Sequence, residues 1–114
     1  MGHVFGIYRY FEELVGVISL TPGRDVNRYS AEVGYFVAEQ YWNRGYVTEA
    51  LKMIPTIARL NYGFIRLYAT AFDFNQASMC VLEKAGFAKG GVLKSSAVKN
   101  GKVIDEHLNA LVLR

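Results

Sequence analysis

Gln40-Tyr41-Trp42-Asn43-Arg44-Gly45-Tyr46-Val47-Thr48-Glu49-Ala50 decides the reading of this 114-residue chain. Before it runs Ala31 to Ala38, a stretch rich in apolar and aromatic residues that predicts a strand. After it, Val47, Ala50, Leu51, Ile54 and Ala58 recur at helical spacing and predict a helix from Val47 to Leu60. A strand, a short loop ending in glycine and a helix start together make an anion site. The first helical N–H groups have no partner inside the helix, and the helix dipole places partial positive charge there. Gly45 lets the backbone approach a bulky phosphate, and Thr48 adds a hydroxyl donor in the first turn. The loop is therefore expected to hold the pyrophosphate of a nucleotide-like cofactor.

Working outward from this loop, Val4 to Tyr10 and Leu14 to Leu20 read as two strands joined by a turn at Phe11-Glu12-Glu13. Thr21-Pro22-Gly23-Arg24-Asp25 breaks the pattern, and a polar loop follows to Ser30. Pro55 lies inside the first helix and is expected to bend or split it, at roughly 3 kcal/mol unless packing compensates. Asn61-Tyr62-Gly63 stops that helix, and Ile65 to Phe72 is a fourth strand. Asp73-Phe74-Asn75 opens a second helix with Asn75 as N-cap, and Gly86 ends it as a left-handed residue. Phe87 to Val98 and Lys102 to Leu113 are strands joined at Lys99-Asn100-Gly101, where Asn-Gly signals a hairpin. The unit from 31 to 72 demands a right-handed parallel crossover.

Composition narrows the class. One domain covers 1–114, with 52% hydrophobic and 20% charged residues, a globular balance. The mean hydropathy of +0.11 is high for a small domain and points to apolar surface covered by a partner. No apolar run is long enough for a membrane span, and the start of the chain lacks the layout of a secretion signal. A single cysteine, Cys80, fits a reducing cytoplasm and is expected to be a buried hydrophobe. The net charge is only +3 and no basic run exists, so nucleic acid is not an expected partner. His3 and His107 stand apart without ligand spacing, and no metal is expected.

Three stretches carry a resemblance. Ala31-Glu32-Val33-Gly34-Tyr35-Phe36-Val37 looks like a strand before a cofactor loop, and Gln40-x-x-Asn43-x-Gly45 looks like a Gln/Arg-x-x-Gly-x-Gly/Ala loop. Asn75-x-x-Ser78-x-x-Val81-Leu82-Glu83-Lys84-x-Gly86-Phe87 looks like the matching second helix and its exit. In order and at these separations they resemble the GNAT superfamily of acetyl-CoA-dependent N-acetyltransferases. The resemblance is nearest to the Rim-type branch, which acetylates ribosomal-protein N-termini, and its small-molecule relatives. It implies an α/β fold of the α+β kind: a mixed, mostly antiparallel sheet, a parallel βαβ crossover at the cofactor site, two main helices and a C-terminal hairpin. Two departures stand out. Asn43 occupies a position where the family usually has glycine, and Asn tolerates left-handed backbone, so the loop is expected to form. The family's opening strand and two helices, which wall one side of the acceptor cleft, are absent. Either the chain is a truncated piece, or it is a minimal form that borrows the wall from a partner.

The resemblance implies acetyl transfer from acetyl-CoA to an amine acceptor, a protein N-terminus or a small molecule, with no metal. The strand before the loop and the strand after the first helix would splay apart, and pantetheine would bond backbone at Phe36, Val37 and Ala38. Gln40, Asn43, Arg44, Gly45, Tyr46 and Thr48 would form the pyrophosphate cradle, with Arg44 equally readable as a solvated loop cation. Glu32 is the candidate base, probing the amine through a water, against a plain reading as an exposed, ion-paired strand carboxylate. Ser78 would protonate the leaving thiolate, or simply be a polar first-turn residue. Asn75 caps its helix and would also contact pantetheine. Tyr41 and Trp42 are read as anchors of the loop. Tyr8, Tyr10, Tyr29 and Tyr35 are read mainly as core or interface, with Tyr10 or Tyr35 able to face the cleft, and Tyr8 and Tyr10 sharing a face. A bare first strand and an uncovered apolar sheet face predict a homodimer or larger assembly. The rival class is a non-catalytic CoA-binding or assembly module. A Rossmann-type dinucleotide domain is disfavoured by the antiparallel start and the lack of a second glycine pair.

Overall fold

Alternating apolar residues become strands and helically spaced ones become helices, in the expected order. The computed structural model of the chain describes residues 2–10, 12–72 and 75–113. Six strands and two helices follow one another: β1 His3–Arg9, β2 Glu13–Pro22, β3 Ser30–Val37, α1 Tyr46–Tyr62, β4 Arg66–Phe72, α2 Gln76–Lys84, β5 Ala88–Lys99 and β6 Lys102–Val112. Phe11, assigned to the first turn, and Asp73 and Phe74, assigned to the start of the second helix, lie outside the described residues.

The six strands form one mixed sheet in the order β1-β2-β3-β4-β6-β5. Every neighbouring pair is antiparallel except β3 and β4, which run parallel across the α1 crossover. The fold is therefore α+β with the topology the sequence implies.

Strand alternation divides this sheet into two unlike faces. Ile18, Leu20, Val33, Leu67 and Ala69 share one face, and Leu51, Ile54 and Ala58 of α1 and Leu82 of α2 bury themselves in the same cluster. Leu20, Leu51, Leu67 and Leu82 are wholly enclosed. Each such leucine contributes roughly 1.5–3 kcal/mol of burial. The other face carries Val4, Ser19, Gly34, Phe36, Tyr68 and Val112 by the same register. There Val4 is 70%, Phe36 65% and Val112 56% exposed, so neither helix covers it. The core is one-sided.

Several local expectations are corrected. Of the bend or split expected at Pro55, the split does not occur: α1 runs unbroken from Tyr46 to Tyr62. Only one ladder bond is lost at a proline, and burial of Leu51, Ile54 and Ala58 on the same helix offsets it. Cys80 is exposed rather than buried. The buried residues of α2 are Met79 and Leu82, and the position after Met79 is turned about 100° away from that stripe. Tyr8 and Tyr10 do not share a strand face, because the register slips between Ile7 and Tyr8 and the strand ends at Arg9. Tyr10 already sits in left-handed backbone at φ 53°.

Other local signals hold. Asn75 caps α2 by accepting the Ser78 N–H at 3.0 Å. Gly86 and Phe87 close α2 by donating to the Glu83 and Leu82 carbonyls, each at 3.0 Å, the double bond of a Schellman ending. Asn100 (φ 54°) and Gly101 (φ 78°) form the two-residue turn between β5 and β6, both left-handed as a type I′ hairpin requires. One feature of β5 has no forewarning in its pattern. Between Leu93 and Ala97 the register slips, and Lys94, Ser95 and Ser96 bulge opposite Asp105. The Asp105 carboxylate accepts the Ser95 N–H at 2.8 Å and pairs with Lys94 at 3.3 Å, which holds it below the usual carboxylate range.

Candidate functional site

The site begins where the sheet opens. β3 and β4 register only at Ser30 with Arg66, Ala31 with Leu67 and Glu32 with Tyr68. Beyond these pairs the two strands part, leaving a gap flanked by 33–37 on one side and 69–72 on the other. β3 stays bonded to β2 throughout, with partners as far as Val37 opposite Gly16, and the Ala38 N–H donates to the Val15 carbonyl at 3.0 Å. In an antiparallel ladder the residues that bond a partner alternate. Ala38 and Phe36 therefore turn their backbone groups to β2, while Val37 and Tyr35 turn theirs toward the gap. An extended ligand could add itself there as a strand would.

The loop that follows β3 closes one end of this gap. A single 3-10 turn, Glu39–Tyr41, leads through Trp42 to Asn43 at φ 61° and Gly45 at φ 80°, both left-handed. Asn43 thus adopts the backbone that glycine usually supplies. Gly45 is the N-cap of α1 and brings no side chain to its amides. Its carbonyl receives the Glu49 N–H at 3.0 Å, so the N–H groups of the intervening first turn point out of the helix end. Arg44 and Gln40 are exposed on the same loop, and Thr48 is half-buried in the first turn. Those open amides and the dipole suit an anion.

The loop is held from behind by a cluster that the sequence does not announce. Trp42 donates its indole N–H to the Val37 carbonyl at 2.8 Å. Tyr41 hydrogen-bonds the Glu13 carboxylate, which also pairs with Arg9 at 3.1 Å. The Arg9 guanidinium lies over the Tyr41 ring at 4.7 Å, and Tyr46 together with Glu13 raises its pKa. Tyr41 and Tyr46 meet edge to face at 6.2 Å. The Tyr46 ring therefore faces the β1–β2 hairpin, and only its backbone belongs to the helix end. Tyr41 and Trp42 are anchors, as expected.

Across the gap stands the start of α2. Ser78, half-buried in its first turn, meets the Tyr35 phenol of β3 through a short hydroxyl–hydroxyl bond, and Tyr35 also reaches the Ser78 carbonyl at 3.4 Å. Burial pushes the Tyr35 phenol above its ordinary range, while the Ser78 bond opposes that rise. Asn75 is exposed and engages the Ser78 amide through its Oδ1, which leaves its amide nitrogen as a donor. Glu32 is exposed on the helix-free face, beside Tyr68, where β3 and β4 still pair. Ser78 and Glu32 thus approach the gap from opposite sides of the sheet. Tyr35 is the member of this group that local pattern identified least well.

Two surface clefts, one lined by Pro55, Arg59 and Leu113 and another by Lys99, Lys102 and Ile104, lie away from this gap. Neither includes Tyr35, Ser78 or the helix end at Gly45.

Residues 2–88 match the family model described as acetyltransferase (GNAT) domain, and the chain belongs to this family. YoaA of Bacillus subtilis (strain 168), named an uncharacterized N-acetyltransferase, is 31% identical over 101 residues, 89% of this chain and 56% of that protein. The solved structure of RimL, the ribosomal L7/L12 alpha-N-protein acetyltransferase in complex with coenzyme A, matches with a TM-score of 0.81 at 25% identity. That match covers 89% of this chain and 56% of RimL. The F149A mutant of SpeG, a spermidine N-acetyltransferase from Vibrio cholerae, matches with a TM-score of 0.89 over 98% of this chain and 66% of SpeG. Its 18% identity limits that likeness to the fold. The chain spans only 50% to 60% of the first three curated relatives it matches.

Proposed function

From that membership we propose that the chain moves an acetyl group from acetyl-CoA to a primary amine, by direct attack in a ternary complex. One observation carries the reading: β3 and β4 part directly beside a helix end whose first amides are open. The cradle of Gln40, Asn43, Arg44, Gly45, Tyr46 and Thr48 would take the pyrophosphate, Tyr46 through its backbone. Pantetheine would extend into the gap along Phe36 to Ala38, with the Asn75 amide nitrogen as a further contact. Among those three residues the Val37 N–H faces the gap, and we assign it to the thioester carbonyl as negative charge develops there. Glu32 would draw the amine proton through a water, and Ser78 would supply a proton to the leaving sulfur. Holding amine and thioester together removes the entropy of their encounter.

The acceptor is a separate matter. RimL's name gives a protein N-terminus and SpeG's gives spermidine, so one fold serves both. A second reading, a CoA-binding or assembly module without turnover, draws on the exposure of Glu32 and on the helix-free face that leaves the acceptor side unwalled. Calorimetry with CoA and thiol release from acetyl-CoA, using spermidine and a short peptide with a free N-terminus, separate them. Turnover lost in Glu32→Gln and Ser78→Ala supports the enzyme, and tight CoA binding without turnover supports the module. Absence of CoA binding sinks both. We further propose that a second copy of the chain covers the helix-free face. Sedimentation at micromolar concentration would show a dimer, and a monomer throughout would reject this.

A further inference from the structure

Tyr35 and Ser78 lie 43 positions apart, on β3 and α2, yet their hydroxyls meet. Every polar group of Ser78 is held: its N–H by Asn75 Oδ1 at 3.0 Å, its carbonyl by the Tyr35 phenol at 3.4 Å, and its Oγ by the same phenol. A serine hydroxyl has one proton and two acceptor sites, and it rotates freely unless a neighbour fixes it. Either hydroxyl can donate in that bond; we take the phenol as the donor to Oγ, since the carbonyl lies near the limit of hydrogen-bond reach. With Oγ accepting from Tyr35, the Ser78 proton is left free to turn toward the gap.

We infer that Tyr35 is a positioning residue for acetyl transfer, whose phenol donates to Ser78 Oγ and aims the Ser78 hydroxyl proton at the departing sulfur. The inference rests on the reading of Ser78 as the proton donor. In the step itself the nitrogen–carbon bond forms and the carbon–sulfur bond breaks, its electron pair going to sulfur. One proton leaves the nitrogen to water. One proton reaches sulfur through the Ser78 hydroxyl, which is refilled from water. Tyr35 keeps its proton throughout, as a buried phenol favours. Its ring belongs to the helix-bearing face while its backbone lines the gap, so one residue ties the groove wall to the donor.

The test uses the whole chain and four proteins: wild type, Tyr35→Phe, Ser78→Ala and the double variant. Thiol release from acetyl-CoA is measured with spermidine and with a peptide amine, CoA affinity by calorimetry, and folding by thermal melts. Tyr35→Phe should lower kcat about tenfold while KM for acetyl-CoA stays within about twofold, the split expected of a group that acts only as the bond breaks. Adding Tyr35→Phe to Ser78→Ala should cost no further activity, since the residue acts through Ser78. Two outcomes overturn the role: losses that multiply in the double variant, or a slow Ser78→Ala beside a normal Tyr35→Phe. A fully active Ser78→Ala removes the reading of Ser78 first, and this inference with it. A crystal structure with CoA decides the matter even without turnover. Ser78 Oγ should lie within hydrogen-bond reach of both the CoA sulfur and the Tyr35 hydroxyl, and a sulfur out of its reach rejects the role.

Discussion

The two faces of this sheet do different jobs with similar residues. On one, Leu20, Leu67 and Val33 meet two helices and lose nearly all contact with water. On the other, Val4, Phe36 and Val112 point to the opposite side of the same sheet and stay more than half exposed. Hydrophobicity alone does not distinguish these residues; what each strand face meets does. The comparison teaches that stability of the isolated chain resides on the helix side. The site straddles both, with Ser78 reaching the gap from one face and Glu32 from the other.

The largest effect should come from the helix side. Leu51→Ala removes a fully enclosed side chain from α1 and should cost about 2–5 kcal/mol, read as a lower midpoint in urea. A loss below about 1 kcal/mol would mean that the helix-bearing face is less tightly built than its burial says. Next is the loop that joins the faces. Gly45→Val forces a β-branched residue into left-handed backbone at φ 80°, a strain of roughly 1–2 kcal/mol, and should weaken CoA binding about tenfold in calorimetry. Unchanged affinity would detach the loop from the cofactor. Asn75→Ala should destabilise α2 by about 1 kcal/mol through loss of its cap, measured by denaturant titration. Smallest of all, Phe36→Ser on the helix-free face should shift the stability of a monomer by no more than about 0.5 kcal/mol. A cost several times larger, rising with protein concentration, would reveal a covered face and sharpen the contrast into a dimer interface.

Titration offers a check on the helix side as well. The folded-state pKa of Tyr35 is raised, so the folded chain binds this proton more tightly than the unfolded one. Its contribution is fully present below the ordinary phenol range near 10 and is lost as pH rises through the folded value. Tyr35→Phe should therefore flatten the alkaline limb of a stability curve.

Much of this was legible in the residues because the signals are local. The order of strands and helices follows from spacing, the type I′ turn from Asn100-Gly101, the α2 cap from Asn75, and the open helix end from Gly45. The shape of the loop from Gln40 to Gly45 was readable for the same reason: strand, glycine and helix start are adjacent in sequence. What was not legible depends on contacts made in space. Arg9 and Glu13 look like an ordinary hairpin pair, yet they hold Tyr41 and Tyr46 some 30 positions away. Nothing near Tyr35 announces Ser78. Cys80 falls outside the buried stripe by a single helical step, and the continuity of α1 through Pro55 depends on packing that spacing does not reveal. The β5 bulge owes its shape to Asp105 on the neighbouring strand.

The brace behind the loop also ties the rim of the sheet to the loop beside its gap. β1 is an edge strand, and Arg9 at its end reaches the tyrosines on both sides of Gly45. A guest that quiets those tyrosines quiets the rim, so deuterium uptake along His3–Arg9 becomes a remote gauge of occupancy. The first hairpin would then act as a spring whose stiffness reports on the groove.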